Sequence, residues 1–347
     1  MKVLPQLCES SRMEGCTLLG ALSITTGVTD SITIVHGPSG CAHHNFSLIH
    51  ATLQEFGSDS LPRIIATDLC EEEIIFGGEG ALEEVIREAS LLTPSCIYVL
   101  STCIVDTIGD DLQAICRKDW ELPVICIPTS GFLGGGFEKG VANALITLAR
   151  QVDTDESEKS GIAVIGEKNL EFEVEENFHE VSRLLALFGE KVTLRFARKC
   201  CVNDIRLLST VRLNILRESR LSTVGEELMK RFGSPYISSF PIGLEGTLEF
   251  LCMVGEMLGM DVREPVRKEQ AHQQEMLVGF SDLEGERIRL ERSTLDQRFV
   301  REVVEAVGLI ASESGVRVPI PIPPPVGTTG LKRMLHRWRR AIHAWMR

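Results

Sequence analysis

Short, β-branched apolar runs that stop at turn residues and give way to helical stretches recur along this chain. That alternation constrains its fold more than any other feature. The run SITIVH (31–36) ends at Gly37, Pro38, Ser39 and Gly40, a turn cluster. RIIAT (63–67), CIYVLST (96–102) and PVICIPT (123–129) repeat the pattern, each followed by glycines or acids and then a helical stretch such as ALEEVIREASLL. Continuous apolar strands are buried on both faces and need crossover helices between them, so the expectation is an α/β fold with parallel sheets.

The segment VDTDESEKSG (152–161) is polar, acidic and without apolar period, and reads as a linker. Beyond it the alternation restarts with GIAVIG (161–166), KVTLRFA (191–197), RLNIL (212–216) and PYISSF (235–240). After about Val262 it weakens to a helix, a strand at ERIRL, a helix from Leu295 to Ile310 and the proline run PIPIPPP (319–325). The expected architecture is two doubly wound, Rossmann-like parallel-sheet units, 1–151 and 162–262, plus an abbreviated third unit, 263–347. The third unit ends in a basic amphipathic helix, with Leu331, Leu335, Trp338, Ile342 and Trp345 on one stripe. It reads either as a terminal helix packed on its own domain or as a docking element for a partner subunit.

With 49 acidic against 36 basic residues the net charge is -13, which argues against phosphate-driven binding of nucleic acid. No long apolar run follows Met1, Lys2 and Val3, and none elsewhere approaches the roughly 20 residues of a membrane helix, so a cytoplasmic protein is expected. Eleven cysteines are many for such a chain, and in a reducing compartment they are thiols or metal ligands rather than disulfides. The absence of any C-x-x-C pair removes zinc ribbons and clustered ferredoxin motifs, leaving ligands that only folding brings together.

Three cysteines read as loop residues: Cys16 after Glu14 and Gly15, Cys41 at the end of HGPSGC, and Cys103 after the strand CIYVLST. Two of them follow parallel strands, where doubly wound sheets bind ligands. Gly37, Gly40 and Gly109 allow backbone to approach the sulfurs. On this ground alone, cluster ligands and structural or merely reactive thiols both remain open. Adjacent Cys200 and Cys201 read as structural. His43 and His44 are either helix-start histidines held by hydrogen bonds or proton donors to a substrate. The string GFLGGG (131–136) lacks dinucleotide-fingerprint spacing, and no G-x-x-x-x-G-K-[ST] phosphate loop occurs, so the chain itself is not expected to hydrolyse ATP.

The stretch CTLLGA (16–21), HGPSGC (36–41) and STCIVDTIGDDL (101–112) together resemble the nitrogenase component 1 family. TDLCEEEIIFGG (67–78), IPTSGFLGG (127–135), NILRESRLSTVGEELMKRFGSPYI and PIGLEGT extend the likeness to about residue 260. The resemblance implies that Cys16, Cys41 and Cys103 hold an iron-sulfur cluster, of four-iron, four-sulfur type. It places Ser130 beside that cluster, where the bland alternative is a loop hydroxyl capping backbone. In nitrogenase a second, iron-molybdenum cofactor hangs from a cysteine in the segment matching RLNILRES. Here that position falls near Glu218, so no such cofactor is expected.

A short chain that keeps the three cysteines, loses that ligand and has a reduced third unit is similar to the branch of the family that reduces and cyclises a nickel tetrapyrrole, Ni-sirohydrochlorin a,c-diamide, in coenzyme F(430) biosynthesis. The resemblance then implies a NifH-like P-loop iron-sulfur ATPase as electron donor, ATP used only through that partner, and a homodimer. The rivals are a non-catalytic scaffold for metallocofactor assembly, another nitrogenase-like reductase, and a metal-free nucleotide- or sugar-binding α/β protein.

Overall fold

The computed structural model describes residues 12–58, 61–131, 135–154, 158–290 and 297–345. Parts of three segments singled out above, 132–134 of GFLGGG, 155–157 of the linker and 295–296 of the helix expected from Leu295, lie outside the described residues. No helix among the described residues is long and apolar enough to cross a membrane.

The first part of the chain runs α1 (Thr17–Thr25), β1 (Ser31–His36), α2 (Ser39–Glu55), β2 (Ile64–Ala66), α3 (Glu71–Phe76), α4 (Glu79–Ser90), β3 (Cys96–Ser101), α5 (Cys103–Ile108), α6 (Leu112–Cys116), β4 (Val124–Ile127) and α7 (Phe137–Arg150). Every residue of β1 and β3 is buried, as strands covered on both faces must be. The strands pair in parallel in the order β2-β1-β3-β4, with Ser31 opposite Cys96 and His36 opposite Ser101. The chain leaves β1 toward one edge and returns to its other side, so the sheet's switch point lies between β1 and β3. All nine residues of α1 are buried. It meets α7 at backbone distance: a Cβ on Gly20 would stand 1.9 Å from the Phe137 carbonyl oxygen, and one on Gly140 1.9 Å from that of Thr17. Only glycine fits either place.

The second alternation comprises β5 (Ile162–Ile165), α8 (Val174–Ala186), β6 (Val192–Phe196), β7 (Leu213–Leu216), α9 (Ser222–Phe232) and β8 (Tyr236–Ile237), in sheet order β6-β5-β7-β8 with β5, β7 and β8 parallel. Its switch point lies between β5 and β7. Then come α10 (Leu244–Leu258), α11 (Arg263–Val278), β9 (Arg287–Arg289), α12 (Arg298–Val307), β10 (Ile310–Ala311), β11 (Val316–Arg317) and α13 (Gly327–Trp345). The third sheet is small, parallel and ordered β10-β9-β11. The helix expected to reach Ile310 stops at Gly308, whose left-handed φ of 75° closes it, and Ile310 pairs in the sheet instead.

Two compact units result. One takes the chain to Glu171 and again Thr193–Ser238, and so contains both four-stranded sheets except for the first residue of β6; the other takes Phe172–Val192 and everything from Ser239. In the second unit α13 buries Leu331, Leu335, Trp338 and Ile342, whereas Trp345, expected on the same stripe, is exposed. The Trp338 indole donates to the Pro319 carbonyl at 2.7 Å. Much of the helix's basic face is neutralised within its own unit: Arg333 and Arg337 pair with Glu173, and Arg339 with Asp282.

Candidate functional site

The three cysteines stand at helix starts rather than in loops. Cys16 is the N-cap of α1, Cys41 is the third residue of α2 behind its N-cap Pro38, and Cys103 is the first residue of α5. Sequence inspection extended the glycine turn to Cys41, but the turn closes at Pro38 and helical backbone begins at Ser39. Cys41 and Cys103 therefore follow the two strands that flank the first switch point, where free N–H groups of helix starts gather. Cys16 joins them from α1 through an antiparallel bridge to Gly136, beyond the end of β4.

The backbone around them is tied together. Cys16 and Cys103 are linked through the stretch after β4: Thr129 donates its hydroxyl to the Ser101 carbonyl at 2.7 Å, and Thr17 donates to the Thr129 carbonyl. Ser101 donates to Asp106 at 2.8 Å, one turn into α5. Asn45 holds the Cys41 carbonyl at 2.7 Å and Thr107 that of Cys103 at 2.9 Å. Gly131 closes in on the site, since an added Cβ would stand 3.0 Å from Cys103 Sγ. Half-buried Ser130 sits between Thr129 and Gly131 in this stretch.

Cys16 and Cys41 are exposed and Cys103 is half-buried. Burial pushes the Cys41 thiol up, and the neighbouring Cys16 and Cys103 push it further, so the Cys41 sulfur lies within electrostatic reach of both. Thiolates that repel one another are a poor arrangement by themselves and a good one around positive iron. Beside Cys103, the buried Thr102 Oγ1 and Asp106 Oδ2 lack a hydrogen-bond partner among the described residues. No three His, Cys, Asp or Glu side chains among the described residues converge on a single metal ion. Three cysteine sulfurs at neighbouring helix starts are nevertheless a donor set that fits an iron-sulfur cluster.

His43 and His44 are exposed on α2 just beyond Cys41, with His44 on the face of Cys41 three residues on. At Gly40 an added Cβ would meet nothing within 4 Å, so the close approach expected there occurs at Gly131 instead. Sequence reading missed Gly131, Thr17 and Thr129. It also passed over exposed Cys70, which heads α3 with its N–H held by Glu73 at 2.8 Å, while α3 packs on α5. Glycine and threonine in the stretch IPTSG were the available signal.

The second switch point carries charge instead of sulfur. After β5 come Glu167, Lys168 and Asn169, and after β7 Arg217 and Glu218. Glu167 is bound two-handed by Arg195 at 2.7 and 2.9 Å. Lys168 pairs with Glu218, Arg217 with Glu171, and Arg198 donates to Asn169. Burial raises the Glu218 carboxyl, but Lys168, Arg217 and Arg220 outweigh it and hold it below the ordinary value. Glu218 is thus an ion-paired carboxylate and supplies no thiolate.

The family model described as "Nitrogenase component 1 type Oxidoreductase" matches residues 16–296. The chain is 29% identical over 321 residues to the nitrogenase iron-molybdenum cofactor biosynthesis protein NifE of Clostridium pasteurianum, covering 87% of this chain and 67% of that protein. It is 29% identical over 276 residues to the nitrogenase molybdenum-iron protein alpha chain of Methanothermobacter marburgensis, covering 74% of this chain and 57% of that one. Among solved structures, "Nitrogenase Cp1 at pH 5" superposes with a TM-score of 0.65 at 23% identity, over 90% of this chain and 65% of that one. The chain spans between about half and two thirds of the length of such relatives, from 52% to 67% in the NifE proteins of Methanococcus maripaludis and Clostridium pasteurianum.

Proposed function

The chain belongs to the family of nitrogenase component 1 type oxidoreductases, and from that premise we propose that it is the substrate-binding, iron-sulfur component of a two-component reductase acting on a nickel tetrapyrrole. The observation that carries the reading is the contrast between the two switch points. Cys16, Cys41 and Cys103 gather at the first, while Glu218, ion-paired to Lys168, occupies the segment where nitrogenase anchors a second cofactor. In this reading the first opening takes the cluster and the tetrapyrrole is the redox partner to which it passes electrons.

Cys16, Cys41 and Cys103 would hold a four-iron, four-sulfur cluster, which would supply one-electron transfer. The chain does the rest. The first turns of α1 and α2 offer N–H groups without intrahelical partners, which would favour a negatively charged group there, and the Thr17, Thr129 and Ser101 bonds tie the backbone of Cys16 to that before Cys103. Gly131 lets backbone close over Cys103, and Ser130 next to it in sequence and Gly40 next to Cys41 are the further positions assigned to the cofactor's surroundings. His43 and His44 supply protons to the macrocycle from the α2 surface. Electrons come from a NifH-like P-loop iron-sulfur ATPase, the partner that membership of this family supports. Cys16 and Cys41 are exposed in a single chain, and a second copy across a two-fold axis would exclude water from them. The product is the reduced, ring-closed Ni-sirohydrochlorin a,c-diamide of coenzyme F(430) biosynthesis.

A second reading, a scaffold on which a metallocofactor is assembled and passed on, is favoured by the similarity to NifE proteins. Anaerobically purified chain, incubated with Ni-sirohydrochlorin a,c-diamide, the ATPase partner, ATP and a low-potential donor, should convert the tetrapyrrole. Neither protein should do so alone. An unchanged tetrapyrrole together with transfer of iron and sulfide to an acceptor protein would establish the scaffold instead, and ATP hydrolysis by the isolated chain would contradict the division of labour.

A further inference from the structure

His36, the last residue of β1, is fully buried and lies outside the ligand set, yet its ring joins two separate loops. Nδ1 is 3.0 Å from Thr67 Oγ1, just past β2, and Nε2 is 3.1 Å from Asp110 Oδ2, just past α5. The directions of these bonds follow from their partners. Asp110 accepts from the Gly78 N–H at 3.1 and 3.3 Å through its two oxygens, so it faces His36 as an acceptor and Nε2 donates. Burial lowers the pKa of the imidazole, against the opposing pull of Asp110, Glu73 and Glu79, which leaves the ring neutral and Nδ1 an acceptor. Thr67 therefore donates its hydroxyl proton to Nδ1, and its oxygen takes the Gly37 N–H at 2.9 Å. The result is a directed chain: Gly37 N–H to Thr67, Thr67 to His36, His36 to Asp110, with Gly78 N–H closing on Asp110.

Each end of this chain adjoins a cysteine-bearing helix. Gly37 opens the turn that leads into α2 and Cys41, and its φ of 147° admits no side chain, since a Cβ would meet Thr102 Oγ1 at 2.1 Å. Asp110 follows Gly109, the left-handed cap that ends the helix begun by Cys103. The geometry points to His36 as a positioning residue that, through Thr67 and Asp110, fixes the spacing between the Cys41 and Cys103 helices. This rests on the reading of those cysteines as cluster ligands. A buried histidine that merely stabilises β1 would lower the melting temperature of its variants without touching the sulfurs.

The test uses anaerobically purified full-length chain carrying His36→Asn, Thr67→Val or Thr67→Ser. Outer partners of metal ligands cost roughly 10-fold to 100-fold in metal affinity when removed, and one acting through a loop belongs at the low end. His36→Asn and Thr67→Val should release iron to a chelator about 10-fold faster than the parent and change the electron paramagnetic resonance line shape of the reduced protein. Thr67→Ser, which keeps the hydroxyl, should restore both. Should His36→Asn not fold, the near-isosteric Thr67→Val carries the comparison. Parental release rates and spectra in folded His36→Asn or Thr67→Val would overturn the assignment, as would a Thr67→Ser protein that behaves like Thr67→Val. If the parent chain binds no iron, the cluster reading fails separately, and alkylation of Cys41 and Cys103 in the metal-free chain decides the positioning role. A changed ratio of the two rates in Thr67→Val supports it, and an unchanged ratio rejects it.

Discussion

The two four-stranded sheets of the first compact unit present the same topological opening with opposite electrostatics. Between β1 and β3 the strand ends lead to Cys41 and Cys103, where burial and the neighbouring sulfurs hold the Cys41 thiol above its ordinary range. Between β5 and β7 they lead to Lys168, Glu218 and Arg217, which already have partners of opposite charge. A switch point provides helix starts and converging loops, but it does not specify a ligand. Whether it becomes a site depends on whether the side chains delivered there satisfy each other.

The comparison breaks most directly at the sulfurs. Cys16→Ala, Cys41→Ala and Cys103→Ala should each lose most of their iron and sulfide on anaerobic purification. Cys252→Ala, an exposed position on α10, should keep the parental amount. Full iron retention in all three would mean that the first opening holds no cluster.

The next effect is one of stability and belongs to the second opening. Arg217→Met leaves the Glu171 carboxylate, which is 1% exposed, without its main partner, and removing one member of a buried pair costs about 3–5 kcal/mol. Urea denaturation of the metal-free protein should show that loss, and the double variant with Glu171→Leu should recover most of it. A parental midpoint for Arg217→Met would mean that the ion pairs do not close this opening.

Acid should separate the two regions by a smaller amount. The His36 pKa is lowered on folding from its ordinary 6.5, so the unfolded chain binds more protons as the pH falls below that value. Stability from His36 is complete above pH 6.5 and declines as the pH falls toward its folded pKa. Glu218, also lowered, contributes above its ordinary 4.5 and loses that contribution only below it. Glu167, raised by burial, runs the other way and loses stability as the pH climbs past 4.5. Denaturation midpoints just below pH 6.5 should therefore fall less steeply in His36→Asn than in the parent, the remaining slope being that of His336, whose pKa is also lowered. A parental slope in that variant would remove His36 as its cause.

The smallest effect is expected at the surface of α2. His43→Ala and His44→Ala should change stability by no more than about 0.5 kcal/mol, as exposed substitutions do, and leave iron content unchanged. Tetrapyrrole turnover should fall in at least one of them. Parental turnover in both would place the proton source elsewhere.

Much of the fold was legible because buried parallel strands advertise themselves locally. SITIVH is β1 from end to end, and the other runs contain their strands with a residue or more trimmed from one end or both. The cysteine trio was legible through its flanking motifs, although the residues alone left its role open. Less readable was where turn ends and helix begins: Cys41 looked like a loop residue because Gly40 precedes it, whereas Pro38 had already capped α2. Gly131 stood in the motif IPTSG, but its neighbours in sequence say nothing of an approach to Cys103, and His36 looked like the end of a strand.

What the sequence by itself determined was the set of local commitments: strand runs, turn glycines, the helix stripe of α13 and the absence of a phosphate loop. These depend on neighbours a few residues apart, and composition and period record them. Only the tertiary structure decided that Arg195 reaches Glu167, that Arg217 reaches Glu171, and that His36 links Thr67 to Asp110. These partners are 28, 46, 31 and 74 residues apart. A charged or polar side chain looks the same in sequence whether it is solvated, paired or waiting for a ligand. Burial and distance distinguish those states, because desolvation sets the cost that a partner must offset.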